Sequence, residues 1–278
     1  MSADPRVSIH PDSSVLLAAI AARLITKLVD LQDKYGEATI VLTGGTMGIG
    51  TLRAVADSPA CPAVNWSMVN VWWGDERFVE ADSPERNTRQ AEEALLNRLP
   101  LDPERIHRPG STDDFPTADD AAADYARRLA EAAAAERETD SAQETGVADS
   151  RRQGPSRVPR FDVLLLGVGP DAHVASLFPE MAGIRESERM VVGVQNAPKP
   201  PPSRISLTLP AIKSADEVWM LVAGEDKAGA VGLALAGAGP VHVPAAGARG
   251  RSRTLWLIDA AAAAKVPEDL VHKEPAST

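Results

Sequence analysis

The chain has a single cysteine, Cys61, among its 278 residues. One thiol cannot close an internal disulfide, and without a cysteine cluster there is no basis for a zinc site. Aromatic residues are also scarce, at 4%, although 44% of the chain is apolar. A sizeable core must therefore be built mainly from Val, Leu, Ile and Ala. No uninterrupted apolar run approaches the roughly 20 residues of a membrane-spanning helix. The opening stretch MSADPRVSIHPDSS lacks the charged-then-apolar layout of a secretory signal. A soluble, cytoplasmic protein is the expectation. Basic charge is in deficit, with 29 Lys and Arg against 39 Asp and Glu and a formal net charge of −10. Nucleic acid and anionic membrane both need a basic face and are disfavoured as partners. A small anionic ligand is not excluded, because a few converging Arg and Lys side chains with backbone N–H groups suffice to bind a phosphate.

What the chain does have is an alternation of helical and apolar extended segments. Ser13–Tyr35 carries apolar side chains at helical spacing after an Asp/Ser-rich cap. Ala38–Leu42 and Val64–Trp73 read as strands, Pro84–Leu99 as a helix, and Asp119–Glu138 as an Ala-rich helix with Tyr125 and Leu129 in phase. Thr139–Pro159 holds almost nothing to bury and reads as a mobile surface insertion. Further strands are expected at Phe161–Val168, Met190–Gln195, the extended PPPSRISLTL, Glu217–Val222 and Thr254–Ile258. A helix is expected at Lys227–Leu235, and Ala260–Lys265 is Ala-rich. This pattern predicts an α/β fold, a single doubly wound, mostly parallel sheet with helices on both faces. The strands flanking the insertion read as members of one sheet, so residues 1–278 are expected to form one domain with flexible termini.

Four segments place unusual polar groups just after strands. In FDVLLLGVGPDAHVASLFP, an apolar run ends in glycines and is followed by Asp171 and His173. Such a strand delivers the next side chains to one sheet edge, where open α/β folds bind ligands. Histidine's ordinary pKa lies nearest neutrality. Taken alone, the segment reads more readily as a turn whose aspartate caps a short helix and whose histidine is incidental. The second segment is TGGT, where Gly44 and Gly45 allow close backbone approach and Thr46 adds a hydroxyl. It is not a Walker loop, since no GKS or GKT follows.

The third is Trp73-Gly74-Asp75-Glu76-Arg77, a packed turn that would set the directions of Asp75 and Arg77, with Asn87 on the same rim. The fourth joins PPPSR, whose prolines would aim Arg204, to Lys227 at a helix start. A cation there is unfavourable for the helix dipole unless an anion offsets it. Together these residues suggest a phosphate pocket (Gly44, Gly45, Thr46, Arg204, Lys227) beside an acid–base centre (Asp75, Arg77, Asp171, His173). His10, His107, His242 and His272 read as surface or packing residues with no second ligand at metal spacing.

In chain order, TGGT, WGDER, GVGPDAHVASLFP, PPPSRISLTLP and VAGEDKA closely resemble the 6-phosphogluconolactonase family, a relative of the glucosamine-6-phosphate isomerases and deaminases. The resemblance covers roughly Val15–Ile258. WGDER is the element that separates the lactonases, since the deaminases resemble a DE-aromatic pattern with no arginine following. One position departs: the family usually has glycine where this chain has Ala172. Alanine is costly there if φ is positive and harmless otherwise.

The resemblance implies a Rossmann-like fold of the sugar-phosphate isomerase type and no metal or other cofactor. It implies hydrolysis of 6-phospho-D-glucono-1,5-lactone, the second step of the oxidative pentose phosphate pathway. In that reading His173 is the general base and Asp171 orients it. Arg77 stabilises an oxyanion or holds substrate hydroxyls, with Asp75 orienting it, while Thr46, Arg204 and Lys227 anchor the phosphate. A monomer is implied, with weak self-association left open. Three alternatives stand beside it: an isomerase or deaminase using Asp75 as a base over C2, a non-catalytic sugar-phosphate sensor, and a structural α/β domain that leaves the four polar motifs a coincidence.

Overall fold

A computed structural model describes residues 5–142 and 157–266. Strand β1 (Arg6–His10) is followed by α1 (Ser13–Tyr35), β2 (Ala38–Leu42), α2 (Gly45–Ala56), β3 (Val69–Trp73) and β4 (Asp75–Arg77). Then come α3 (Asn87–Ala94), α4 (Ala118–Ala142), β5 (Val163–Gly167), β6 (Val191–Val194), β7 (Arg204–Leu207) and α5 (Leu209–Lys213). β8 (Glu217–Val222), α6 (Ala228–Leu235), α7 (Pro244–Gly247) and β9 (Arg253–Asp259) complete the order. Six strands form a wholly parallel sheet in the order β1-β9-β8-β5-β2-β3.

The central strands are apolar on both faces because both faces are covered. Alternation sends Ile40, Leu42, Leu165, Trp219 and Leu221 into one core with Leu24 and Leu28 of α1. It sends Val41, Leu164, Leu166, Met220 and Val222 into the other with Tyr125 and Leu129 of α4. The first helix shows how local sequence sets an element. Leu16, Ile20, Leu24, Leu28 and Leu31 make its buried stripe. The Asp12 carboxylate accepts from the Val15 N–H at 2.9 Å, and Gly36 ends the helix at φ 79°. Among the described residues no helix is long and apolar enough to cross a membrane.

One expectation about the sheet is corrected. β6 and β7 do not join the parallel sheet but form a separate antiparallel sheet with β4, in the order β4-β7-β6. A short connection such as that between β6 and β7 permits antiparallel pairing, whereas parallel neighbours need a long crossover. Within Val64–Trp73 only residues from Val69 onward are strand. Cys61–Ala63 and Trp66–Met68 are 3-10 turns, held where Trp66 Nε1 donates to the Cys61 carbonyl and Asn65 exchanges hydrogen bonds with Gln32. Strand β1, not anticipated, pairs with β9 at the sheet edge. Helix α4 runs on to Ala142, into the stretch read as an insertion. Residues 143–156 of that stretch lie outside the described residues, and Val158 near its end is buried. His107 is a packing residue, stacked on Trp72 at 3.8 Å. Burial, followed by the charges of Arg128 and Arg105, draws its pKa down to about 4.

Tyr125 ties α4 to the sheet. Its hydroxyl accepts from the Trp73 N–H at 2.9 Å and donates to the Trp73 carbonyl at 3.1 Å, both in the interior. Removing it leaves a buried donor and a buried acceptor unpaired. Tyr125→Phe should cost about 2 kcal/mol. The check is urea unfolding, where the midpoint falls at unchanged slope.

Candidate active site

The carboxyl ends of β2, β3, β5, β8 and β9 share one sheet edge, as parallel pairing requires. The chain winds outward from β2 to β3, then returns to β5 on the other side. The gap between β2 and β5 is therefore the topological switch point, where such folds bind ligands. A cavity of about 510 Å³ opens there.

From β2 come Gly44, Gly45 and Thr46, all on the cavity wall at the start of α2. Gly45 has φ 74°, and a Cβ on Gly44 would lie 1.9 Å from Asn87 Oδ1. Both glycines are thus required by conformation or by contact. From β4, strand alternation turns Asp75 and Arg77 to the cavity and Glu76 to the interior. The Asp75 carboxylate is committed: Oδ2 accepts from Ser176 Oγ at 2.7 Å and Oδ1 faces Asn87 Nδ2 at 3.4 Å. Arg77 donates to the Glu85 carbonyl at 2.5 Å, and its Nε is buried without a partner among the described residues.

From β5 comes the His173 turn. The Gly169 N–H donates to the His173 carbonyl at 3.0 Å and the Ala172 N–H to the Gly169 carbonyl at 2.9 Å. A Cβ on Gly169 would sit 2.0 Å from His173 Nδ1, so the turn closes only on glycine. His173 Nδ1 lies 2.5 Å from Asp171 Oδ1, and its ring packs on Phe178 at 4.6 Å. Asp171 stands behind His173 and is not itself part of the cavity wall. Burial alone would raise the Asp171 pKa, but the hydrogen bond and charge of His173, with Lys199, hold it down to about 2. The carboxylate therefore keeps the Nδ1 proton engaged and leaves Nε2, which has no partner among the described residues, as the acceptor. Ala172 has φ 65°, the costly case. Its methyl is also buried in the core. The penalty of about 1–2 kcal/mol for a left-handed alanine is offset by that burial and by alanine's lower unfolded-state entropy.

Arg204 and Lys227 both line the cavity. Register pairs Arg204 with Arg77 across β4 and β7, which is what the second sheet contributes to the site. Four of the five Arg204 donors are in use, on the carbonyls of Lys199, Pro200 and Pro201 and on Ser176 Oγ. Its bulk is scaffold, with one N–H left. Lys227 is the N-cap of α6 and is bonded to Asp226. Sequence reasoning passed over Lys199, Ser176 and Asp259, all at or beside the cavity. Lys199 immediately precedes the prolines, which was the available signal. Among the described residues no group of three or more His, Cys, Asp or Glu side chains is arranged to hold a metal ion.

The profile of the family described as glucosamine-6-phosphate isomerases/6-phosphogluconolactonase matches residues 11–256. The 6-phosphogluconolactonase of Streptomyces coelicolor is 54% identical over 273 residues, 97% of this chain and 98% of that protein. The protein of the same name from Mycobacterium tuberculosis is 46% identical over 262 residues, 94% of this chain and 98% of its own. The structure of 6-phosphogluconolactonase from Trypanosoma brucei has a TM-score of 0.76 at 24% identity, covering 95% of this chain and 99% of that one. At that identity the likeness speaks for the fold.

Proposed function

This chain belongs to the glucosamine-6-phosphate isomerase/6-phosphogluconolactonase family, and from that membership we propose that its cleft hydrolyses 6-phospho-D-glucono-1,5-lactone to 6-phosphogluconate. The observation that carries the reading is His173, held through Nδ1 by Asp171 and facing a cavity whose far walls are the glycine loop and Lys227. Neutral His173 takes a proton through Nε2 from a water molecule as that water attacks C1. The carbonyl oxygen becomes an oxyanion beside Arg77. As the ring C–O bond breaks, the imidazolium returns the proton to the departing ring oxygen, which leaves acid and hydroxyl as products. The 6-phosphate rests on the Gly45–Thr46 amides at the start of α2, on the Thr46 hydroxyl and on Lys227, with Arg204 supplying nearby positive charge. This is the second step of the oxidative pentose phosphate pathway.

The isomerase or deaminase reading needs a free carboxylate over C2. Asp75 is 7% exposed and its two oxygens are engaged by Ser176 and Asn87, which favours the lactonase reading. The test is turnover of freshly generated lactone, with spontaneous opening subtracted. A rate equal to the spontaneous one, or conversion of glucosamine 6-phosphate instead, would overturn the proposal.

Lys227→Ala separates anchoring from chemistry. Loss of one charge-assisted contact should raise KM for the phosphorylated lactone about 10- to 100-fold. kcat should change much less, because the contact is the same in ground and transition states. Initial rates over a substrate series decide it, and an unchanged KM would remove Lys227 from the phosphate site.

A further inference from the structure

Lys199 has no part in the mechanism above, yet its Nζ lies 3.6 Å from Asp171 Oδ1. That oxygen also receives His173 Nδ1 at 2.5 Å. The backbone that presents Lys199 is tied down. Arg204, 5% exposed, donates to the carbonyls of Lys199, Pro200 and Pro201 at 3.1, 3.0 and 3.1 Å. A buried guanidinium therefore fixes the loop from which the lysine reaches back over the acid–base pair. We propose that Lys199 is a positioning residue, acting on His173 through the shared Asp171 oxygen and opposing a second positive charge on the imidazole. The proposal rests on the lactonase reading of this site.

The other charged groups around the imidazole are each held by hydrogen bonds of their own, away from the Asp171–His173 pair. From β4, Asp75 is held by Ser176 and Asn87, and Arg77 by the Glu85 carbonyl. From β7, Arg204 is held by its three carbonyls. After β8, Lys227 is bonded to Asp226, which also feels the charge of Lys199. At the end of β9, Asp259 accepts from the N–H groups of Gly224 and Ala262. Among the described residues, Lys199 is the cation in ion-pair contact with the Asp171–His173 pair.

The sign follows from Coulomb's law. A protonated imidazole beside Lys199 is two like charges facing one carboxylate. Removing the lysine favours the imidazolium, so His173 stays protonated to higher pH and the acid limb of kcat/KM moves up. For a half-exposed cation the displacement should be about half a pH unit, a rate about threefold lower on that limb. The experiment is the pH profile of kcat/KM on 6-phosphogluconolactone for wild type, Lys199→Met and Lys199→Arg. The methionine variant should show the upward displacement and the arginine variant should keep the wild-type limb. An unmoved or lowered limb in Lys199→Met overturns the proposal. So does a raised KM with an unmoved limb, which would make Lys199 a phosphate contact.

If wild type fails to outpace spontaneous opening, the lactonase reading falls by itself. The coupling is then read without turnover, from the His173 ring-proton resonances in wild type and Lys199→Met. Their titration midpoint should rise in the variant, and an identical midpoint overturns the inference.

Discussion

His173→Ala is expected to lower kcat on 6-phosphogluconolactone by about two to four orders of magnitude, the usual contribution of a positioned general base. In the proposed mechanism the substitution removes the group that takes the proton from water and returns it to the ring oxygen. Binding should survive, because the glycine loop and Lys227 lie on other elements. KM, and the thermal shift produced by 6-phosphogluconate, should therefore stay near wild type. Circular dichroism matching wild type would exclude a folding defect, since His173 is a turn residue whose backbone bond from the Gly169 N–H remains available to alanine. The wild-type rate should also fall on acidification as the imidazole takes up a proton. A rate that stays flat down to about pH 5, or a variant within a few-fold of wild type, would sink the general-base assignment.

The largest effect on stability is expected in β4. Glu76 is 0% exposed, and its carboxylate accepts from the N–H groups of Arg77, Asn87 and Thr88 at 2.8, 2.7 and 2.8 Å. Arg86 Nε lies 3.7 Å away and is itself buried. The side chain thus closes the amino end of α3 and neutralises an interior cation. Glu76→Ala leaves the three backbone N–H groups unpaired and the buried Arg86, still hydrogen-bonded to Thr88, Pro109 and Gly110, without its counter-charge, and should cost about 3–5 kcal/mol. For a chain of this size that is a fall of roughly 10 °C in melting temperature. Glu76→Gln keeps the volume and part of the hydrogen bonding, so it should fall between. At a temperature where Glu76→Gln is folded, it should retain kcat within about tenfold, because its side chain points away from the cavity. A folded Glu76→Gln protein without activity would put this residue in the chemistry and overturn the structural role.

Glu76 also shows where sequence reading stops. In WGDER three charged residues are consecutive, and sequence reading chose Asp75 and Arg77 for the site without assigning Glu76 a role. Strand geometry separates them, since a period of two sends Asp75 and Arg77 one way and Glu76 the other. The same element corrected the helix expected from Pro84. α3 begins at Asn87 because the Glu76 carboxylate holds the first amides there, a contact across 11 residues that no local pattern encodes.

Local chemistry was enough for the buried strands Ala38–Leu42 and Glu217–Val222, the first helix after its Asp/Ser-rich cap, and the parallel sheet. Apolar runs, helical spacing and caps are properties of neighbouring residues. The polar groups after four strands were legible for the same reason, because a strand that ends in glycine announces where it ends. That the four segments would meet in one pocket was expected from their motifs; how their side chains are held was not legible. That β6 and β7 leave the parallel sheet, that β7 brings Arg204 opposite Arg77, and that the Arg204 donors are spent on the Lys199–Pro201 backbone are facts of pairing. So is the contact of Lys199 with Asp171, 28 residues apart in sequence. The sequence by itself determined the elements and the identity of the chemical groups. Which of those groups face the cavity, and which are consumed holding the others in place, was decided by tertiary packing, because hydrogen-bond capacity is finite and distant residues compete for it.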